Sequence, residues 1–407
     1  MSEQHLSSER EKPRLLVLAS TFPRWSGDRE PGFVYDLSSR LADHYEVHIL
    51  APHASGAKQE EKMNSCHVHR FQYAPECWQT LAYEGGILSR LKQNRWRILL
   101  ILPFLLAEAF AIRRILRQYP FSAIHCHWII PQALALRIAT LGMRNPPPAL
   151  CTSHGGDLFG LQGWAMKQVK RWALARCQGM TVVSQAMRPH AEALAPHLKP
   201  AVIPMGTDLE NHFTPDPQTP RNKNHLLFVG RLVEKKGVEF LLEATARLVP
   251  NYPDLRLTIV GGGPLEAALK ARAVQPDLNG HVEFLGAQPH KKLPELYRRA
   301  SVSIVPSIVA EGGDQEGFGL VIVEAMGCGC PVVVSSLPAI RDIIGNQDLA
   351  SQYPPGDIVA LADAIDHVLT DPEAAQARAR RALPHVRARF DWVPIGQAYG
   401  KTLEHIR

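Results

Sequence analysis

The sequence predicts an α/β protein of two doubly wound, parallel-sheet domains facing each other across a cleft. Three observations lead there. Short apolar runs alternate with helix-like stretches along the chain, the pattern of parallel strands covered by helices on both faces. At 407 residues the chain is too long for one ordinary core. A polar, proline-rich break, Pro215-Asp216-Pro217-Gln218-Thr219-Pro220, interrupts the alternation near its middle.

Arg14–Ala19 is short and apolar and ends in a loop, as a first parallel strand does. Val34 to Ala42 has helical spacing, and Glu46–Ala51 is the next strand. Ala123–Cys126, Ala149–Ser153, Met180–Val183 and Ala201–Ile203 continue the series. Beyond the break a second series starts: Leu226–Val229, Leu255–Val260, His281–Leu285, Val302–Val305 and Pro331–Val334. The expected division is a Rossmann-like domain over 1–212, a second over 213–388, and a closing helix over 389–407. Ligands in such sheets bind at the carboxyl ends of the strands, so the loops after each strand are where chemistry is expected.

Hydrophobic content of 45% with 21% charge is that of a soluble globular chain. Residues Met1 to Arg14 are polar and no cleavable apolar core follows, so no secretory signal is expected. The seven cysteines are scattered, mostly inside apolar runs, and Cys328-Gly-Cys330 lacks C-x-x-C spacing, so a reducing cytoplasm is the expected location. The net charge of +6 is uneven. Residues 1–205 carry 24 Lys/Arg against 15 Asp/Glu, and residues 206–407 carry 21 against 24. No helix-turn-helix, RNP-type or zinc pattern accompanies the basic half, which excludes nucleic acid as the expected partner. In residues 90–117, basic clusters flank the apolar run Ile98–Ile112, which falls short of the ~20 residues that span a bilayer. Two readings stand, and both can hold. The segment lies on an anionic membrane surface, making the protein peripheral on the inner face of the plasma membrane, or it is a helix buried against the sheet.

The most informative stretch is Glu316 to Val334, EGFGLVIVEAMGCGCPVVV. A glycine-rich turn opening a helix presents bare N–H groups and a positive dipole end to an anion. Eight residues is a little over two helical turns, so Glu316 and Glu324 are expected on roughly one face. Two carboxylates able to accept from hydroxyls, beside an anion site, suit a nucleotide sugar. Upstream, the strand Leu226–Val229 ends in Gly230, followed by Arg231 and Lys236, a plausible pyrophosphate clamp in which Arg231 grips oxygens bidentately. The first loop, STFPRWSGDREPG, has no G-x-G-x-x-G, which argues against a dehydrogenase.

Together these residues resemble the retaining glycosyltransferases of family 4 (GT4), which have the GT-B fold. The match runs through Gly230-Arg231-Leu232 with Lys236-Gly237, Gly261-Gly262-Gly263-Pro264, Phe284-Leu285-Gly286, Glu316 to Glu324 and Gly329-Cys330-Pro331-Val332-Val333. The amino-terminal half matches more loosely, through Thr21-Phe22-Pro23, Pro31-Gly32 and His154-Gly155-Gly156-Asp157. The segment Ala310–Gln315, before Glu316, is longer and more acidic than the family's usual approach.

The resemblance implies a hexosyltransferase moving sugar from a nucleotide-diphosphate donor to a glycan or lipid-linked acceptor, with retention, in surface polysaccharide or glycolipid synthesis. The residues alone leave inversion with an Asp157 or His154 base equally open. Carried over by position, Arg231, Lys236, Glu316 and His154 are the expected catalytic set. Gly32, Gly230, Leu285, Gly317, Phe318, Gly319, Leu320 and Glu324 are the expected donor contacts, with Glu316 on sugar hydroxyls, Glu324 on ribose and His154 beside the transferred sugar. Backbone groups near Phe284–Gln288 are the expected base contact, with UDP, GDP and ADP all compatible. Asp157 has three readings: metal ligand, acceptor of the acceptor's proton, or helix cap. His125-Cys-His127 and His67-Val-His69 each supply only two ligands, so no metal or other cofactor is expected. The alternatives are an epimerase of GT-B fold and a non-catalytic nucleotide-sugar-binding protein.

Overall fold

A computed structural model of the protein describes residues 12–28, 32–83, 86–345 and 348–407; Pro31 of the first loop and the amino-terminal eleven residues lie outside them. Among the described residues the strands form two sheets. The first contains β1 (Arg14–Leu18), β2 (Glu46–Pro52), β3 (Glu60–Met63), β4 (Cys66–Phe71), β5 (Ala123–His127), β6 (Ala149–Ser153), β7 (Gly179–Val182) and β8 (Ala201–Val202), in the order β3-β4-β2-β1-β5-β6-β7-β8. The second contains β9 (His225–Val229), β10 (Arg256–Val260), β11 (Val282–Gly286), β12 (Val302–Val305), β13 (Val332–Ser335) and β14 (Ser351–Tyr353), in the order β11-β10-β9-β12-β13-β14. Every pairing is parallel except β3 with β4.

Strands β3, β4 and β14 have no counterpart among the sequence-predicted runs. Glu60–Met63 is polar and antiparallel at an edge, and β14 is a three-residue edge strand. In β4, His67 and His69 interrupt the apolar pattern. Their rings are part of a small aromatic cluster around His48, which accepts or donates to His69 at 3.1 Å.

The strand orders locate the binding crevices. From β1 the chain winds outward through β2 and β4, then returns to β5 beside β1 and winds the other way. From β9 it winds through β10 and β11, then returns to β12 beside β9. Where the winding reverses, adjacent loops diverge and leave a crevice at the strands' carboxyl ends. The loops after β1 and β5, and those after β9 and β12, therefore frame the cleft.

One apolar cluster runs through the inner faces of both halves, joining Leu16, Ile124 and Met180 to Leu227, Val323 and Phe318. The outer face of the first sheet is closed from the far end of the chain. Helix Trp392–His405 places Trp392, Ile395, Tyr399 and Leu403 against Leu15, Val17 and Val34. Asp391 caps that helix by accepting from Val393 N–H, and its other oxygen accepts from Leu209 N–H. The closing helix is thus pinned to the segment where the chain first crosses between sheets.

Candidate active site

Strand β9 delivers Gly230, Arg231 and Leu232 to the crevice. The glycine run after β10 lies directly upon them: Leu232 N–H donates to Gly262 O at 3.0 Å, and Leu265 N–H to Leu232 O at 3.1 Å. Gly261 has φ +135°, and a Cβ there would collide with Gly230 O. Only glycine allows this layering, and it is what makes the Gly230–Leu232 backbone a rigid floor.

A turn at Glu234–Lys236 follows. Lys236 Nζ is ion-paired with Glu316 Oε2 at 2.5 Å, and Lys235 Nζ donates to Asp314 Oδ1 at 2.9 Å. Burial alone would raise the Glu316 carboxyl; the charges of Lys236 and Lys235, the Lys236 hydrogen bond and the nearby Arg231 outweigh it and hold it down at about 2. Glu316 is therefore a carboxylate across the whole working pH range. The acidic segment before it is tied to the same turn, with Glu311 N–H donating to Glu234 Oε1 at 2.7 Å.

One expectation is corrected here. Helix Leu320–Gly327 begins after Glu316, with Gly319 at φ +100° as its N-cap, so the two glutamates do not share a helix face. Glu316 stands in the approach loop, whereas Glu324 is 4% exposed, accepting from Tyr297 Oη at 3.2 Å and meeting His290 Nε2 at 3.2 Å. Burial disfavours the His290 cation, but the Glu324 hydrogen bond and charge, with Asp36 across the cleft, win and raise its pKa. The Phe318 side chain is 3% exposed and packs on Phe390, which leaves its backbone as the part able to meet a donor. Leu320 is half-buried beside it. The Leu285 carbonyl accepts from Gln288 Nε2 at 2.7 Å.

The facing wall comes from β5 and β6. His154 follows β6, its Nε2 3.0 Å from His127 Nδ1, with Phe33 and Trp128 against its ring at 4.9 and 5.0 Å between centroids. Burial lowers its pKa to about 3, so the ring is neutral. Asp157 lies inside helix Gly156–Phe159 and does not cap it. Its Oδ2 accepts from Ile129 N–H at 2.8 Å, and its Oδ1 from Ser153 Oγ at 2.8 Å and His154 N–H at 3.2 Å. It reaches backward to brace the strand end that carries His154. Gly32 precedes helix Phe33–Leu41, and a Cβ there would meet Asp36 Oδ2 at 3.6 Å, ordinary contact distance.

The two walls touch. A Cβ on Gly317 would lie 2.6 Å from His154 O and 3.0 Å from Gly155 Cα. Gly317, the residue after Glu316, thereby meets His154 and Gly155. His127, Tyr297, His290 and Asp36 were missed by sequence reading. His127 does leave a signal, the i, i+2 repeat with His125, which by spacing alone reads as a pair of metal ligands. Among the described residues no three His, Cys, Asp or Glu converge to hold a metal ion.

Comparison with known proteins agrees with this geometry. The model described as "Glycosyltransferase Family 4" matches residues 33–211, and that described as "Glycosyl transferases group 1" matches residues 211–383. The chain is 30% identical over 379 residues to a GDP-mannose-dependent alpha-(1-6)-phosphatidylinositol monomannoside mannosyltransferase of Mycolicibacterium smegmatis, covering 89% of this chain and 91% of that protein. It is 28% identical over 292 residues to glycogen synthase of Mycobacterium tuberculosis, covering 69% of this chain and 68% of that one. Among solved structures, sucrose-phosphate synthase from Thermosynechococcus elongatus superposes with TM-score 0.78 at 23% identity, covering 97% and 99% of the two chains. Anabaena HepE in complex with UDP and glucose gives 0.73 at 20% identity, covering 97% and 100%. Cleft, sheet orders and family matches agree: the chain belongs to glycosyltransferase family 4 and has the GT-B fold.

Proposed function

We propose that this glycosyltransferase moves a hexosyl group from a nucleoside-diphosphate sugar to a lipid-linked acceptor at an anionic membrane face, with retention at the anomeric carbon. The observation that carries the reading is the Lys236–Glu316 ion pair beside Arg231, set against neutral His154 across a closed cleft. The bond between the anomeric carbon and the diphosphate oxygen breaks as negative charge grows on the leaving phosphate. Arg231, Lys236 and the N–H groups opening helix Leu320–Gly327 supply preorganised positive charge for it, in place of a metal. The acceptor oxygen attacks the face the diphosphate leaves, and its proton passes to that phosphate. In this reading Glu316 and Glu324 take hydroxyl hydrogen bonds from sugar and ribose. The named relatives are glycosyltransferases, which disfavours the epimerase and non-catalytic readings.

The membrane reading is supported by helix Ile101–Gln118. Its inner face buries Phe104, Glu108, Ile112 and Ile115, while Ile98, Leu99, Leu102, Leu106 and Phe110 stand half to three-quarters exposed in a stripe that ends at Arg114 and Arg117. The buried face fits the reading of a helix packed against the sheet, and the exposed stripe supports the membrane reading beside it. Arg113 is the exception, since it donates to Ala139 O and Leu141 O and serves the protein itself. Among the described residues no helix is long and apolar enough to cross a membrane. Such a stripe with basic ends suits insertion at the headgroup boundary. The relatives include a phosphatidylinositol mannosyltransferase, consistent with a lipid acceptor.

The test is a metal-free thermal-shift screen against UDP, GDP, ADP, UDP-glucose and GDP-mannose. A ligand at a hundred times its Kd adds about 2.7 kcal/mol. One base should raise Tm in the native protein and not in Arg231→Ala. Product from that donor is then assigned by anomeric NMR, and an inverted product would overturn retention.

A further inference from the structure

Three helices form a layer over the inner face of the first sheet. Ile101–Gln118, Leu134–Ala139 and Trp164–Leu174 turn Phe104, Ile112, Leu136, Ala139, Ala173 and Leu174 into one apolar cluster with the strands. They lie side by side, with Leu134–Ala139 in the middle. Arg113 of the first helix donates to Ala139 O and to Leu141 O just beyond the second. Arg137 of the second lies over the Trp172 ring of the third, 5.3 Å from its centroid.

On the outer side of this layer, large apolar groups extend beyond the stripe on Ile101–Gln118. Trp164 is 78% exposed, Leu141 50% and Trp172 40%. The exposed charges around them have one sign. Residues 86–176 carry 13 Lys/Arg against two acids, Glu108 and Asp157, and both acids are buried. Arg114, Arg117, Arg144, Lys167 and Arg171 are exposed. Cations alone would serve a soluble polyanion. Tryptophan and leucine set between cations add apolar area that the headgroup boundary of an anionic bilayer takes up, with indole at the interface and Lys/Arg on phosphate.

We propose that helix Trp164–Leu174 is a second membrane anchor, seated through Trp164, Lys167, Arg171 and Trp172, so that the protein docks on an anionic phospholipid bilayer along two helices. The proposal rests on the membrane reading above and extends it to a helix outside residues 90–117. Once one helix is seated, the second meets the bilayer at high effective concentration, so the two contacts reinforce each other. Two contacts also fix the tilt of the first domain, which a single helix would leave free to roll. The second anchor is tied to the cleft wall. Lys170, 2% exposed, donates to Leu158 O at 3.2 Å and Gly160 O at 2.8 Å, in the helix and turn that follow His154. Docking through this helix therefore holds that side of the cleft near the lipid surface.

The experiment is sedimentation of the full chain with phosphatidylserine-containing vesicles at low salt, followed by quenching of its tryptophan fluorescence by brominated acyl chains. The native protein should bind these vesicles far more tightly than pure phosphatidylcholine vesicles, and brominated lipid should quench it. Trp164→Ser with Lys167→Ser should weaken binding about tenfold to thirtyfold. Tm should stay unchanged, because both side chains face water. Trp164→Phe keeps an apolar ring, so it should bind nearly as the native protein does while losing part of the quenching. Native affinity in the Ser variant, with binding lost in Leu106→Glu with Phe110→Glu, overturns the second anchor and leaves the membrane reading of Ile101–Gln118 standing. Quenching unchanged in Trp164→Phe overturns the seating of Trp164 and with it the anchor. A native protein that binds neither vesicle overturns the membrane reading itself, and this proposal falls with it.

Discussion

Gly155 and Gly317 meet backbone to backbone across the cleft: a Cβ on Gly155 would stand 2.8 Å from Gly317 Cα. The loop after Glu316 and the His154 loop therefore pack backbone on backbone, with no room for a Cβ on either glycine. Ala186 N–H donating to Asp342 Oδ2 at 2.9 Å is a second tie between the halves.

Gly317→Ala should force the halves apart while leaving each core intact. A displacement of about 1 Å at reacting groups can cost on the order of a hundredfold in rate. We expect turnover to fall by about that factor, Tm to stay within a few degrees, and small-angle scattering to show a larger radius of gyration. Full activity in this variant would mean that the closed approach is not used in the reaction.

The Lys236–Glu316 pair carries stability as well as its proposed chemistry. Its side chains are 13% and 14% exposed, so removing one partner strands a charge. Lys236→Met should destabilise by about 3–5 kcal/mol, and adding Glu316→Gln should restore most of it without restoring activity. Glu316 is held below its unfolded value of 4.5, at about 2, so its contribution is complete above pH 4.5 and is lost as pH falls toward 2. Urea unfolding at stepped pH should show that loss in the native protein and not in the double variant.

Asp36 behaves oppositely. Burial raises its carboxyl to about 6 from 3.8, against the lowering influence of His290 and Arg40. A raised acid binds its proton more tightly when folded, so stability is lost as pH rises from about 4 through 6. Asp36→Asn should thus be neutral at pH 4 and stabilising by about 1–2 kcal/mol at pH 8. Equal stability of both proteins across that range would refute the assignment.

Arg114 and Arg117 are exposed at the end of the apolar stripe, and basic residues near an anionic surface each contribute about 1 kcal/mol. Replacing both with Ala should weaken binding to phosphatidylserine vesicles roughly tenfold to thirtyfold at low salt. Leu106→Glu with Phe110→Glu should abolish it. Neither change should lower Tm, because these side chains face water. Undiminished vesicle binding would remove the membrane from the proposal.

What was legible came from short-range regularities. Strand periodicity, the glycines after β9 and β10, and the spacing from Glu316 to Val334 each follow from local backbone geometry. The side-chain directions of Phe318 and Asp157 were not legible, because they depend on partners far along the chain. Phe318 goes to Phe390, and Asp157 to Ile129, both set by packing between distant segments.

By itself, the sequence determined the two parallel-sheet halves, the ends of the strands where the cleft lies, and the cationic and acidic groups placed there. Periodicity and chain order suffice for that, since a parallel strand delivers its following loop to one edge of the sheet. Tertiary structure alone decided that Glu316 pairs with Lys236, that Glu324 is buried with Tyr297 and His290, that His127 backs His154, and that Gly155 meets Gly317. Each of these joins residues from separate loops or strands, and hydrogen bonds and close contacts of that kind depend on ångström-scale positions that no spacing along the chain encodes.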